Sequence, residues 1–270
     1  MRLAIEGARL LLEGEAVEAS LLVDDGVIAA IGAAIPPGTP TLDGRGKILA
    51  PGIVDLHGDA FERSIQPRPG VNLPLDLAAA DLDAQAAAAG ITTVFHAVTL
   101  SWEPGLRGGK MFSALLDALD RLPPHALVDH RIHVRMEAVA PDQAPLAEAA
   151  IAAGRTHMVA INDHTSAIAR KARDPAGAYS YAKRAGVSGA EILALAERML
   201  ERETEGHAAL ARVVAAARQA GLPIASHDDE TPDIRAHWRG QGASICEFPM
   251  NAETARAARA HDESVVMGCP

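Results

Sequence analysis

Hydrophobic and polar positions alternate over short runs in residues 1–50. Short alternating patterns occur in the runs LAIEGARLLL and ASLLVDDGVIAAIG, as expected for β-strands, whose side chains alternate between two faces with a period of two. Asp25-Gly26, between two apolar runs, is a dipeptide that favours a two-residue hairpin turn. Residues 1–50 are therefore predicted to form a small β-sandwich subdomain.

After Pro51 the pattern changes, and short apolar runs alternate with longer segments whose apolar residues recur at helical spacing. Ser188 with Glu191 has the pattern of a capping box, and Thr231 before Pro232 has that of a helix start. The predicted strands are 52–57, 92–100, 131–138, 156–163, 222–228, 243–249 and 263–269. The predicted helices are 75–89, 109–122, 145–153, 189–219 with a break near Gly206, 232–239 and 251–260.

The alternation of strands and helices predicts an α/β fold with a parallel sheet covered by helices. Seven strands favour a TIM-like (β/α)₈ barrel over residues 51–270, truncated after its seventh strand. An open doubly wound sheet is the alternative, but no Gly-x-Gly-x-x-Gly turn follows the first strand. A seven-stranded remnant would expose sheet edges, so we expect this chain alone to be poorly soluble or inactive.

Composition and charge narrow the function classes. Hydrophobic residues make up 49% of the 270 residues and aromatic residues only 3%, so the core must consist of small aliphatic side chains. A formal charge of −10 argues against nucleic-acid binding, which requires clustered Lys and Arg. Two cysteines, an N-terminus unlike a signal peptide and no apolar run of membrane-spanning length predict a cytoplasmic protein without a membrane partner.

Polar residues gather at the predicted carboxyl ends of the strands, which share one face of a parallel barrel and build its active site. His57 and Asp59 follow the first strand, and their spacing of two places them on the same side of it. Imidazole and carboxylate ligands together suit Zn²⁺, Mn²⁺ or Fe²⁺. The later strand ends contribute Glu137, Asp163, His164, His227, Asp228 and Asp229.

Four other polar residues have a structural interpretation. His96 lies within an apolar strand and is predicted to be a neutral, hydrogen-bonded core histidine. His130 and His133 lie at the opposite end or the middle of their strand, so both are left outside the predicted site. Glu62 is equally compatible with a site carboxylate and with a charge that complements a helix start.

Basic residues in two loops are candidates for binding an anionic substrate. Arg63 and Arg68 lie in the first long loop, and Arg107 and Lys110 lie in a glycine-rich segment just before a helix. Backbone N–H groups at a helix N-terminus favour phosphate. Any one of these four residues, taken alone, is more often a solvated surface charge.

Several segments together resemble a known family. The small N-terminal β-piece, the segment APGIVDLHGD and the histidines at later strand ends resemble the amidohydrolase superfamily of metal-dependent hydrolases. That superfamily usually has His-x-His on its first barrel strand, whereas this chain has His57-Gly58-Asp59. Within the superfamily, the chain is similar over essentially its whole length to the PhnM family of phosphonate-metabolism proteins. The segments that carry this similarity are DLHGDAFERSIQPRPGV, INDHTSA, ASHDDET and EFPMNAETARAARAHDESVVMGCP.

The resemblance implies a diphosphatase that hydrolyses α-D-ribose 1-methylphosphonate 5-triphosphate to the 5-phosphate and diphosphate in phosphonate catabolism. It implies one or two divalent metal ions, zinc foremost with manganese and iron as alternatives, and a small phosphorylated substrate. A homodimer is the candidate assembly. The implied metal ligands are His57, Asp59, Glu137, His164 and His227, and the implied catalytic residues are Glu137 and Asp228. The resemblance also implies an eighth strand with an acidic residue beyond residue 270.

Two other functions remain open. One is a carbon–nitrogen hydrolase of the same superfamily, such as a deacetylase or a cyclic amidase. Asp59 in place of a second histidine and the basic loops favour the phosphate substrate over this alternative. The other is a catalytically dead barrel that serves as a binding module, which the absence of an eighth strand from these residues keeps open.

Overall fold

The computed structural model describes residues 1–68, 70–123 and 126–268. The chain divides into two compact units, Met1–Ile53 and Val54–Pro270. Cys269, the last residue of the seventh predicted strand, lies outside the described residues. No helix in the described part of the chain combines the length and the apolar character needed to cross a membrane.

The first unit contains one five-stranded sheet with the order β3-β2-β1-β4, in which β5 also pairs with β1. Asp25 and Gly26 both have positive φ, 47° and 79°, and form the predicted two-residue turn between β2 and β3. The described residues form this single sheet rather than the two stacked sheets of the predicted sandwich. The strands are β1 (Arg2–Leu12), β2 (Glu15–Asp24), β3 (Val27–Ile31), β4 (Thr41–Asp43) and β5 (Ile48–Leu49).

The second unit alternates strands with helices, as predicted. Its strands are β6 (Ile53–Gly58), β7 (Ile91–Leu100), β8 (Asp129–Glu137), β9 (Met158–Asn162), β10 (Ile224–His227), β11 (Ile245–Glu247) and β12 (Ser264–Val266). Its helices are α1 (Phe61–Ile65), α2 (Leu75–Ala88), α3 (Gly109–Asp120), α4 (Ala144–Ala152), α5 (Thr165–Ala172), α6 (Pro175–Ala185), α7 (Gly189–Leu200), α8 (Glu203–Gln219), α9 (Pro232–Gln241) and α10 (Ala252–Arg259).

Strands β6 to β12 form one sheet in which spatial order follows chain order. Neighbouring strands from β7 through β12 all pair in parallel, which requires the helical crossovers seen between them. Central strands are buried on both faces, and Val134, Met136 and Ile161 are completely inaccessible. All seven predicted strands are present, so the predicted α/β fold is confirmed.

The parallel sheet is strongly curled. Five inter-strand spacings separate β6 from β11, so their ends would lie roughly 24 Å apart in a flat sheet. His57 Nδ1 at the end of β6 instead lies 2.9 Å from Glu247 Oε1 at the end of β11. The sheet is therefore a half-barrel whose concave side gathers the side chains of distant strands.

The helix predictions were right at most termini, but one helix break was misplaced and three helices were missed. Ser188 and Glu191 form the predicted capping box, and the Thr231 hydroxyl accepts a hydrogen bond from the backbone N–H of Ile234. The predicted 189–219 helix is two helices, which separate at residues 201–202 and not near Gly206. Helices α1, α5 and α6 were not predicted, although the Asp174 N-cap before Pro175 marks the start of α6.

Gly206 lies inside α8 because the helix crosses the chain after β8 at close range. A Cβ added at Gly206 would lie 2.8 Å from Val139 Cα and 2.9 Å from Ala138 O. The residue is therefore selected by packing and not by a helix break, which explains the wrong prediction at this position.

The substitution Gly206→Ala should destabilise the protein, although alanine favours helices over glycine. Its new Cβ must displace backbone atoms at a cost of about 1–3 kcal/mol. Gly240→Ala is the matched control in α9, because no atom lies within 4 Å of the added Cβ. We expect Gly240→Ala to be neutral or to stabilise by up to about 1 kcal/mol. Urea unfolding followed by circular dichroism measures both, and a Gly206→Ala midpoint at or above that of Gly240→Ala would contradict this packing.

Candidate functional site

Three side chains from distant strands form a first donor cluster on the concave side of the sheet. They are His57 of β6, His133 of β8 and Glu247 of β11, whose potential ligand atoms all lie within 4.8 Å of one another. Glu247 Oε1 lies 2.9 Å from His57 Nδ1 and 3.8 Å from His133 Nδ1. The cluster is buried, and Glu247 is completely inaccessible.

The hydrogen bonds of this first cluster leave metal-binding atoms free. His133 Nδ1 donates to the backbone carbonyl of Leu56 at 3.1 Å, so Nε2 carries the lone pair. His133 Nε2, His57 Nδ1 and both Glu247 oxygens are buried and make no hydrogen bond within the described structure. Buried polar atoms are normally hydrogen-bonded, so this group of unsatisfied atoms fits a bound cation.

A second donor cluster adjoins the first and consists of His164, His227 and Asp228. Asp228 Oδ2 lies 3.3 Å from His164 Nε2 and 3.1 Å from His227 Nδ1. The two clusters approach each other at His227 Nε2 and Glu247 Oε2, which are 3.9 Å apart. Two adjacent groups of imidazole and carboxylate donors fit one or two divalent metal ions.

Backbone strain and aromatic packing hold this arrangement. Asp228 has a φ of 60°, a left-handed conformation that a non-glycine residue adopts at a cost, and its N–H donates to the carbonyl of Glu247 at 3.0 Å. The ring of Phe248, which also has a positive φ, lies 4.7 Å from the ring of His57 and 5.4 Å from that of His227. Phe248 therefore covers two imidazoles with apolar surface.

Burial sets the protonation of the histidines. Desolvation lowers the pKa of His57, His133 and His227 to about 4 each. The three imidazoles are therefore neutral at pH 7, which is the form that offers a lone pair to a metal. Burial would raise the pKa of Asp228, but hydrogen bonds from His164 and His227 hold it below its ordinary value, so this carboxylate is ionised.

A buried arginine network fixes the loop that carries Asp228. Arg235 of α9 is completely inaccessible and forms an ion pair with Glu263, with Nε 2.8 Å from Oε2. Its Nη1 donates to Ser226 Oγ at 2.5 Å, and the Ser226 hydroxyl donates to Asp229. Since Asp229 directly follows Asp228, this network positions the second cluster.

A cavity of about 600 Å³ opens beside the second cluster. Its lining includes the cations Arg170 and Lys171 at the end of α5. The carboxylates in the lining are Asp163, Asp228, Asp229, Glu230 and Asp233. Because carboxylates outnumber these cations, an anionic substrate would enter this cavity only with help from bound metal ions.

The structure brings together only part of the metal-ligand set implied by the family resemblance. His57, His164 and His227 lie in the two clusters, whereas Asp59 is exposed and Glu137 is buried outside them. Asp59 lies beyond the end of β6, where the chain turns into α1, so period-two spacing no longer applies to it. Glu137 Oε1 accepts from the backbone N–H groups of His164 and Thr165, each at 3.0 Å, and thereby orients the loop that carries His164.

The four predicted substrate-binding residues lie away from the cavity lining. Arg107 Nε is 2.8 Å from Glu62 Oε1, so the partly buried Glu62 neutralises this guanidinium. Arg63, Arg68 and Lys110 are exposed. Of the two alternatives for Glu62, the structure shows neither directly: Glu62 forms an ion pair that links α1 to the segment before α3.

Sequence reasoning missed His133, Arg135 and Glu247. His133 was set aside because of its mid-strand position, yet it points to the same concave side as Arg135 and Glu137, which follow at spacings of two. Glu247 was detectable as a lone acid within the apolar run ASICEFP.

The interpretation of His96 is confirmed. His96 Nε2 lies 2.8 Å from His130 Nδ1, and His130 Nε2 lies 3.1 Å from Asp83 Oδ1. The three side chains thus form a partly buried hydrogen-bonded chain that links α2, β7 and β8. Burial lowers the pKa of His96 to about 3, which keeps it neutral. These residues connect a helix to the sheet and lie outside both donor clusters.

Comparison with known proteins gives a similarity over nearly the whole chain. The chain is 32% identical to the alpha-D-ribose 1-methylphosphonate 5-triphosphate diphosphatase of Escherichia coli (strain K12), and the match covers 98% of this chain and 71% of that protein. It is 35% identical over 98 residues to the dihydroorotase of Citrifermentans bemidjiense, which covers 35% of this chain and 21% of that protein. No protein-family model matches.

Among solved structures, a D-hydantoinase matches 92% of this chain with a TM-score of 0.48 and 16% sequence identity. The chain spans 57% of the length of that hydantoinase.

The substitution Glu247→Gln should weaken zinc binding, because it removes the buried carboxylate shared by two imidazoles. We expect His133→Asn to act in the same direction, and each variant to bind Zn²⁺ at least roughly tenfold more weakly at one site. His261→Asn is the control, because His261 is exposed and lies outside both clusters. Titration against a chromophoric chelator measures the affinity, and wild-type zinc affinity in Glu247→Gln would refute the first cluster.

Proposed function

We propose that this chain, which belongs to the PhnM-like branch of the amidohydrolase superfamily, hydrolyses α-D-ribose 1-methylphosphonate 5-triphosphate to the 5-phosphate and diphosphate. The support is its 32% identity, over 98% of its length, to a diphosphatase that carries this substrate in its name. The chain covers 71% of that protein. The proposed reaction class is hydrolysis of a phosphoanhydride.

The observation that carries the proposal is the pair of adjacent donor clusters at the carboxyl ends of the parallel strands. Three neutral imidazoles and a buried carboxylate with unsatisfied atoms are the donor chemistry of a divalent metal site. When bound, such an ion activates water at neutral pH and neutralises the charge that develops on a transferred phosphoryl group.

The side chains of the two clusters have distinct proposed tasks. His57, His133 and Glu247 would hold one ion, and His164, His227 and Asp228 a second. The lowered pKa of Asp228 suits a ligand better than a general base, because a weakly basic carboxylate accepts a proton poorly. Glu137 would act by orienting His164 through its backbone N–H.

The cavity beside the second cluster is the proposed substrate pocket. Arg170 and Lys171 line it and form no ion pair with other described residues, so both are free to meet phosphate oxygens. We place them ahead of Arg63, Arg68 and Lys110, which are exposed outside this lining. A triphosphate would bind together with metal ions, whose positive charge neutralises the negative charge of the carboxylates in the pocket.

Hydrolysis of a cyclic amide is the second candidate function. The partial similarity to a dihydroorotase favours it, but that match covers 35% of the chain, against 98% for the diphosphatase.

Turnover assays separate these two candidate functions. Zinc- or manganese-loaded protein should release diphosphate from α-D-ribose 1-methylphosphonate 5-triphosphate and should leave dihydroorotate and hydantoin intact. Diphosphate release by these 270 residues would at the same time overturn the expectation that seven strands alone are inactive. Arg170→Gln together with Lys171→Gln should raise KM for the triphosphate several-fold, because each charge-assisted hydrogen bond to phosphate is lost. Phosphorus NMR identifies the products. Cleavage of either cyclic amide, with no diphosphate released from the triphosphate, would overturn the proposal.

A further inference from the structure

Arg135 is a buried arginine whose charge has no close carboxylate partner. It lies on β8 between His133 and Glu137 and is 6% exposed. Its only hydrogen bonds within the described structure go to the ring of His227, at 3.0 Å from Nη2 to Nε2 and 3.4 Å to Nδ1. Its Nε is buried without any partner. The negative charges of Glu247 and Asp228 act on it from a longer distance, but no ion pair within 4.0 Å joins it to a carboxylate of the described residues.

A second buried arginine in the same unit shows the usual arrangement. Arg235 is also buried, but its Nε and Nη2 donate to the carboxylate of Glu263 and its Nη1 donates to the Ser226 hydroxyl. Buried charges are normally paired in this way, because an isolated charge in the interior is strongly destabilising. Arg135 departs from this arrangement at His227, where the two donor clusters meet, so its charge is available to an anion there.

The single lone pair of His227 limits its contact with Arg135. A neutral imidazole has one N–H and one lone pair. Since Arg135 donates to Nε2, the lone pair is on Nε2 and the proton is on Nδ1, beside Asp228 Oδ2 at 3.1 Å. If His227 gives its lone pair to a metal, it can no longer accept the hydrogen bond from Arg135. Arg135 then keeps its charge and loses its only acceptor among the described residues.

We propose that Arg135 binds an anionic oxygen of the substrate, and that occupation of His227 by a metal releases Arg135 for this contact. The identity of that oxygen as a phosphoryl oxygen rests on the proposed function. The planar guanidinium fork matches two oxygens of a phosphoryl group, and a buried position strengthens the contact. Arg135 would therefore contact substrate from β8, in addition to the cavity cations Arg170 and Lys171.

The competing role for Arg135 is to position His227 as a ligand. The two roles predict opposite effects on metal binding. If Arg135 competes for the lone pair of His227, its removal leaves zinc affinity unchanged or raises it. If Arg135 supports His227, its removal weakens zinc binding.

Arg135→Gln separates these roles, because the shorter glutamine side chain withdraws the N–H donor from His227 and loses the positive charge. Arg135→Lys keeps the charge and loses the planar fork. Arg131→Gln is the matched control on the same strand, since Arg131 is partly exposed and forms an ion pair with Asp129 at 2.8 Å. Zinc affinity is measured by chelator competition. Inorganic diphosphate binding is measured by calorimetry on zinc-loaded protein freed of excess metal.

We expect Arg135→Gln to bind diphosphate roughly 10- to 100-fold more weakly than the wild type, with zinc affinity unchanged or higher. Arg135→Lys should lose less, and Arg131→Gln should match the wild type. Wild-type diphosphate affinity in Arg135→Gln, or a loss of zinc affinity in both Arg135 variants, would overturn the proposal. If the wild type fails to hydrolyse the triphosphate while diphosphate binding still depends on Arg135, the proposed function fails and the anion contact stands.

Discussion

The approach of His57 Nδ1 to Glu247 Oε1 is the constraint on which the rest of the site depends. These atoms are 2.9 Å apart although five inter-strand spacings separate their strands, so the contact requires the curl of the whole parallel sheet. His133 joins them from β8, which lies between β6 and β11. The backbone N–H of Asp228 donates to the backbone carbonyl of Glu247. The curl of the sheet therefore brings the first donor cluster together, and a flatter sheet would separate its side chains.

Burial has two opposite consequences at this place. Desolvation keeps His57, His133 and His227 neutral, which leaves lone pairs available to a cation. The same desolvation makes the unsatisfied oxygens of Glu247 and the unpaired charge of Arg135 costly. The fully paired Arg235 network, which includes Ser226 and Asp229, holds the strained loop at Asp228. Polar groups that destabilise the free protein are commonly concentrated where ligands bind.

Local patterns predicted much of the fold, since strands, hairpin turn and helix caps depend on neighbouring residues. The Ser188–Glu191 capping box and the Asp25-Gly26 turn are examples, and His57, His164, His227 and Asp228 followed from the rule that parallel strands end on one face. Glu247 and His133 could not be derived in this way, because their roles depend on the curl that brings strands one, three and six together. Asp59 stays a prediction: β6 ends at Gly58, and the exposed Asp59 lies outside both donor clusters.

Anomalous diffraction at the zinc edge, from crystals of the zinc-loaded chain, tests the central claim most directly. The account predicts an anomalous peak about 2.0–2.2 Å from a nitrogen of His57, a nitrogen of His133 and an oxygen of Glu247. A peak coordinated by Asp59 and Glu137, with none within reach of Glu247, would contradict it.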